Sequence, residues 1–126
     1  MSETTKVLAE YAREKSDYEI TGTIRDVKGA LVVVPLTTMT LTLYAMDAAL
    51  TIINGIDDVN INNVGRGTVP GDGTFAILLG PADNPVLDGT LLEETHRALV
   101  EWTYNGGASQ GRQRIEFRVA NFERVV

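Results

Sequence analysis

From Tyr18 onward the apolar residues of this chain recur at every second position. Met39, Leu41, Leu43 and Ala45 alternate with Thr38, Thr40, Thr42 and Tyr44. Successive side chains of an extended backbone point to opposite faces, so such a segment has one apolar and one polar side and reads as a half-buried strand. Phe75, Ile77 and Leu79 repeat the pattern after the dense turn signal Pro70-Gly71-Asp72-Gly73. The clearest pair comes last. Ala98, Val100, Trp102 and Tyr104 alternate with Arg97, Glu101 and Thr103, and Ile115, Phe117 and Val119 alternate with Arg114, Glu116 and Arg118. The glycine-rich stretch from Asn105 to Gly111 between them predicts an antiparallel hairpin with a flexible tip.

Weaker strands are expected from Tyr18 to Arg25, from Ala30 to Val34 after the Asp26-Val27-Lys28-Gly29 turn, from Leu50 to Ile53, and from Val59 to Ile61. About seven short strands separated by turns point to an all-β fold, an immunoglobulin-like antiparallel β-sandwich, with a jelly roll or small barrel as the alternative. Pro81-Ala82-Asp83-Asn84-Pro85 cannot lie inside a sheet, because each proline lacks a donor. It reads as a crossover loop, with at most one helical turn near Leu91 to Glu94. Residues 1–16 stand outside the alternation and are expected to form an N-terminal arm, leaving 17–126 as the sandwich domain.

A chain of 126 residues is one ordinary domain. Its 17 acidic residues against 11 basic ones give a net charge of -6, which argues against holding a nucleic-acid backbone. With no cysteine and a single histidine, disulfide scaffolds, thiolate nucleophiles, zinc ribbons, iron–sulfur sites and multi-histidine metal sites are excluded. No segment approaches the ~20 apolar residues needed to span a bilayer. The expectation is a protein made in the cytoplasm, with no cofactor, no metal and no membrane partner.

Several motifs resemble chemical sites and are better read as structure. Gly107-Ala108-Ser109-Gln110-Gly111 matches the G-x-S-x-G pattern of a nucleophile elbow, but the strand-like run from Arg112 follows where a helix is needed, so Ser109 belongs to a hairpin tip. Asp58, Asn60 and Asn62 place oxygens at alternate positions as an EF-hand loop does. Asn63 then replaces its glycine and Val69 its glutamate, so a strand with a wet polar face is the reading. The glycines around Arg66 and Asp72 are turns, since no Gly-Lys-Ser/Thr follows. His96 is in phase with Ala98 and Val100 and reads as a packed histidine, and Trp102 as core. Arg112, Arg114, Arg118 and Arg124 are interleaved with Glu116 and Glu123, as on a solvated mixed strand.

The run Leu36-Thr37-Thr38-Met39-Thr40-Leu41-Thr42-Leu43-Tyr44, with Ile52-Ile53-Asn54-Gly55 and Val59-Asn60-Ile61-Asn62-Asn63-Val64, resembles a family of small structural proteins of tailed bacteriophages. The resemblance continues through Gly73-Thr74-Phe75, Pro81-Ala82-Asp83-Asn84, the stretch from Glu94 to Tyr104, and Ile115 to Asn121. The element order, with an Asp26 to Gly29 turn, a Leu-Thr strand and a late hairpin, is also similar to immunoglobulin-like modules at the N-termini of phage baseplate proteins. This resemblance implies a virion component with no enzymatic activity and no catalytic residue to carry over. It would dock on capsid, neck or tail proteins, in multiple copies within a symmetric assembly, as a decoration, neck or tail-adaptor subunit.

Two rival readings carry their own requirements. A receptor- or carbohydrate-binding module needs exposed aromatics around a concave face, and a hydrolase needs Ser109 and His96 within hydrogen-bond reach. For docking, the expected anchors are Val7, Leu8 and Tyr11 on the arm, the alternative being that the arm completes the domain's own sheet.

Overall fold

The computed structural model describes residues 2–88 and 90–121, with side chains from Thr5 onward. The described chain forms nine strands: β1 (Ser2–Val7), β2 (Ala12–Arg13), β3 (Tyr18–Thr23), β4 (Leu36–Ala45), β5 (Val59–Asn60), β6 (Gly67–Thr68), β7 (Thr74–Leu79), β8 (Glu93–Tyr104) and β9 (Ser109–Ala120). The larger sheet has the order β1-β9-β8-β4-β5, with β2 also on β9, and the smaller has the order β3-β7-β6. The two pack face to face as an all-β sandwich around one core. β9, β8, β4 and the short β5 thus lie in one sheet and β3, β7 and β6 in the other.

The period of two in the sequence is the period of burial. Met39, Leu41, Leu43 and Ala45 of β4, Phe75, Ile77 and Leu79 of β7, Ala98, Val100 and Trp102 of β8, and Ile115, Phe117 and Val119 of β9 all face inward and are buried. Phe75, Trp102 and Phe117 belong to the same core. No disulfide joins the sheets in a chain without cysteine. An aromatic contact bridges them instead: the rings of Tyr18 on β3 and Phe117 on β9 stack with centroids 5.2 Å apart.

The hairpin of β8 and β9 pairs antiparallel from Glu93↔Ala120 to Tyr104↔Ser109. Its tip is shorter than the glycine content suggests, because Ser109, Gln110 and Gly111 already belong to β9 and the turn is made by residues 105–108. Asn105, Gly106 and Gly107 take φ values of 55°, 67° and 91°, a left-handed sequence that asparagine and glycine accept most easily. Gly111 serves packing instead: a Cβ there would stand 2.8 Å from Trp102 Nε1.

Three local expectations change in the folded chain. The segments 30–34 and 50–53 are not strands but contribute isolated bridges, Arg25↔Leu31 and Tyr44↔Ile52. Leu31, Val33 and Val34 are exposed, and a turn held by Asp47, whose carboxylate accepts from Thr51 N and Thr51 Oγ1, occupies the chain before Ile52. The helical turn forms at Pro81–Asp83, while Glu93 and Glu94 already belong to β8.

The larger departure is at the N-terminus. The described part of residues 1–16 lies on the large sheet and does not stand apart as an arm, so the sheet is mixed where an antiparallel one was expected. Strand β1 runs parallel to β9 from Ser2↔Gly111 to Val7↔Glu116, and β2 resumes at Ala12↔Val119. Glu14 N donates to Ala120 O at 3.0 Å, Tyr18 Oη donates to Glu10 O at 2.8 Å, and Ala12 is buried. The reason is backbone satisfaction: β9 has a bare edge, and the start of the chain covers it. Such pairing uses main-chain groups, which Ser2-Glu3-Thr4-Thr5-Lys6 has without any apolar alternation. Removing residues 1–15 is therefore expected to lower the melting temperature by more than ~5 °C. An unchanged melting temperature would return the segment to the role of a detachable arm.

Candidate functional site

Val7, Leu8 and Tyr11 do not come together as one surface. Val7 is 64% exposed, Leu8 packs against the core, and Tyr11 lies under the Arg118 guanidinium, 4.0 Å from its ring centroid. The Tyr11 hydroxyl is hydrogen-bonded to Glu93, which raises the phenol's pKa.

Ser109 and His96 are also apart. Ser109 pairs with Tyr104 at one end of β8, and His96 pairs with Phe117 near the other, a separation of about 26 Å at ~3.3 Å per residue. They cannot act as nucleophile and base on one substrate. Asp58, Asn60, Asn62 and Asn63 do not converge either. Thr42 Oγ1 accepts from Asp58 N, Asn60 Oδ1 accepts from Asn62 N, and Asn62 Nδ2 donates to Leu36 O. Asn63 donates to Val69 O and accepts from Val69 N, bracketing the loop that carries β6. Of the interleaved arginines, Arg112 lies 4.0 Å from Glu101 and Arg118 covers Tyr11; Arg124 lies outside the described residues.

His96 is fully buried, in edge-on contact with Phe117 at 5.9 Å. Its Nε2 lies 2.6 Å from Glu94 Oε1, so this nitrogen carries the proton and donates to the carboxylate. Burial lowers the imidazole pKa, more than the neighbouring Glu94 raises it. The neutral form is thus the native one. A histidine neutralised by folding contributes stability above its unfolded pKa of ~6.5, and that contribution is lost as pH falls through the lower folded value. The melting temperature is expected to fall as the pH drops below about 6.5, and less so in His96→Gln. A wild-type slope no steeper than that of the variant would show that His96 is not the group responsible.

Two anchored loops end the sandwich. At one end, Glu94 accepts from Leu87 N and Asp88 N, while Asn121 donates to Leu91 O and Leu92 O. With its polar groups tied inward, this loop leaves Leu87, Leu91 and Leu92 exposed, and Met46 borders the same concavity as Leu87 and Leu91. At the other end, Asp26 Oδ1 accepts from Lys28 N and Ala30 N, and Val32 N donates to Ile24 O while Ile24 N donates to Gly73 O. That loop leaves Val27, Leu31, Val33 and Val34 exposed. Alternation marks strands, not loops, so nothing in the period of the sequence points to these positions; the signal available is runs of apolar residues next to turn formers.

The buried polar centre was likewise not legible in the sequence. Asp83 is 3% exposed and takes Arg66 in a bidentate pair of 2.9 and 3.0 Å, Asn54 Nδ2 at 2.8 Å and Gly80 N at 2.8 Å. Burial pushes its carboxyl up, but the hydrogen bonds from Arg66, Asn54 and Gly80 outweigh this and hold it below the usual carboxylate range. Next to it, buried Asn84 donates to Ser16 O at 2.7 Å.

The outer face of the large sheet is polar. Thr38, Thr40 and Thr42 of β4 line a shallow concavity of about 680 Å³ with Leu99, Glu101, Thr103 and Asp57. Thr38 and Thr103 share a 2.7 Å hydrogen bond, and Arg97 pairs with Glu116 at 2.8 Å. Among the described residues, the aromatic side chain bordering this concavity is Trp102, which is 3% exposed and offers no open ring face of the kind carbohydrate stacking uses. In comparisons with known proteins, no family model, curated protein or solved structure matches this chain.

Proposed function

We propose that this chain is a non-enzymatic structural subunit of a bacteriophage virion, a decoration, neck or tail-adaptor protein that docks on other virion proteins. The observation that carries this reading is the concentration of exposed apolar side chains at the two loop ends of the sandwich, Val27, Leu31, Val33 and Val34 at one and Leu87, Leu91 and Leu92 at the other. Apolar patches on a rigid frame mark contact surfaces, and burying each such side chain stabilises a complex by roughly 1.5–3 kcal/mol. Two such ends on one small domain suit a spacer held between neighbours. The resemblance of the β4 and hairpin sequences to small phage structural proteins supplies the virion setting, and the net charge of -6 favours protein partners over nucleic acid.

Quantitative mass spectrometry of purified particles tests the reading. The chain is expected in fixed ratio to the major capsid protein, on the order of hundreds of copies for a decoration subunit or about six or twelve for a neck or tail subunit. Recovery only in the soluble fraction sinks it. Val33→Lys and Leu92→Lys, at positions 60% and 63% exposed, are expected to change stability by no more than about 0.5 kcal/mol while reducing incorporation into particles.

A further inference from the structure

A second cavity lies between the sheets where β3 leaves for its loop. It is a slot of about 200 Å³, and its lining includes Thr23, Arg25, Asp26, Trp102, Arg112 and Gln113. Trp102 is 3% exposed, and its Nε1–H has no hydrogen-bond partner among the described residues. A buried indole N–H ordinarily finds an acceptor, because leaving it unmade forfeits the hydration it had in water. Trp102 also borders the outer concavity, but its ring shares the inward phase of Ala98 and Val100 and rests over Gly111. The indole is therefore on the side of the slot.

The other polar groups of the slot include two guanidinium groups, those of Arg25 and Arg112, the Asp26 carboxylate and the Gln113 amide. Arg25 is held in place by Nε donating to Thr23 Oγ1 at 3.2 Å and Nη1 donating to Gly29 O at 2.7 Å, and a guanidinium has five N–H donors in all. Asp26, the acid in the lining, has its Oδ1 engaged by Lys28 N at 2.9 Å and Ala30 N at 3.0 Å. The slot thus offers a fixed cation in Arg25, a second cation in Arg112 and an unused donor, against the single carboxylate of Asp26.

We propose that this slot binds a carboxylate, one oxygen accepting from Trp102 Nε1–H and the group's charge meeting Arg25. Charge-assisted hydrogen bonds of this kind are the strong ones, and a space well below that of a drug-sized pocket admits the end group of a ligand, not a whole molecule. A small free carboxylate and the acidic side chain of a docked polypeptide share this chemistry. The inference stands independently of the virion reading.

Trp102 is the chain's only tryptophan, so a single indole N–H resonance reports on the slot. The isotopically labelled full chain is titrated with sodium acetate and with a glutamate-containing peptide capped at both ends, against sodium chloride at equal ionic strength. A saturable downfield shift of the indole resonance with carboxylate, absent with chloride, is expected, and Arg25→Gln should weaken it about tenfold, 1.4 kcal/mol. Tighter binding of the peptide than of acetate assigns the slot to a docked acidic side chain; binding of acetate at least as tight assigns it to a free carboxylate. A linear shift, an equal shift with chloride, or an affinity unchanged in Arg25→Gln while its other resonances match the wild type overturns the proposal. The wild-type titration decides the matter even if the variant fails to fold.

Discussion

Replacing Trp102 with alanine is expected to lower the free energy of unfolding by about 3 to 5 kcal/mol. The ring is 3% exposed in the interior of β8, opposite Met39 on β4 and Gly111 on β9. Gly111 cannot grow to fill the space, and the strands on both sides are held in long ladders, so the cavity left by the indole collapses little. That places the cost in the range of a fully buried aromatic truncation. Urea unfolding followed by circular dichroism reads it as a midpoint shift at unchanged slope. A loss under about 1 kcal/mol would mean that the ring contributes no core packing. Gly111→Ala should show the complementary effect, since its Cβ would collide with the same ring, and overpacking of this kind costs about 1–3 kcal/mol.

Replacing Asp83 with alanine is expected to cost about 3 kcal/mol. The carboxylate joins three loop segments, through Asn54, Arg66 and the backbone at Gly80. Its removal leaves those donors without an acceptor inside the protein. The Arg66 side chain is 31% exposed and can turn to water, which keeps the expected loss at the lower end for a broken buried pair. Because the folded pKa of Asp83 lies below its ordinary value, this contribution is present above the unfolded pKa of ~3.9 and is lost as pH falls through the folded one. Wild type and variant should therefore differ most at neutral pH and converge in acid. A difference that does not shrink in acid would assign the loss to packing and not to the ion pair.

The candidate contact surface follows from the same loops. With their polar atoms tied inward by Glu94, Asn121 and Asp26, the end loops leave leucine and valine as what remains exposed. A loop held in this way loses little further entropy when a partner covers it.

How much of this was legible beforehand divides along a physical line. Side-chain alternation is a local property, so the inward faces of β4, β7, β8 and β9 could be read from runs such as Met39 to Ala45 and Ile115 to Val119, and with them the all-β class, the final hairpin and the burial of Trp102 and His96. The pairing of β1 with β9 could not be read, because a parallel edge is made by backbone groups that every residue carries, between segments at opposite ends of the chain. Arg66, Asn54 and Asp83 are 17 and 29 positions apart in their pairings. Only the fold brings them to one point, and only there does a loop aspartate become a buried ion pair. The same holds for the loop ends. The sequence by itself determined which strand faces are apolar; the tertiary structure decided which apolar residues were left outside, because burial depends on what the sheets, once packed, have room to cover.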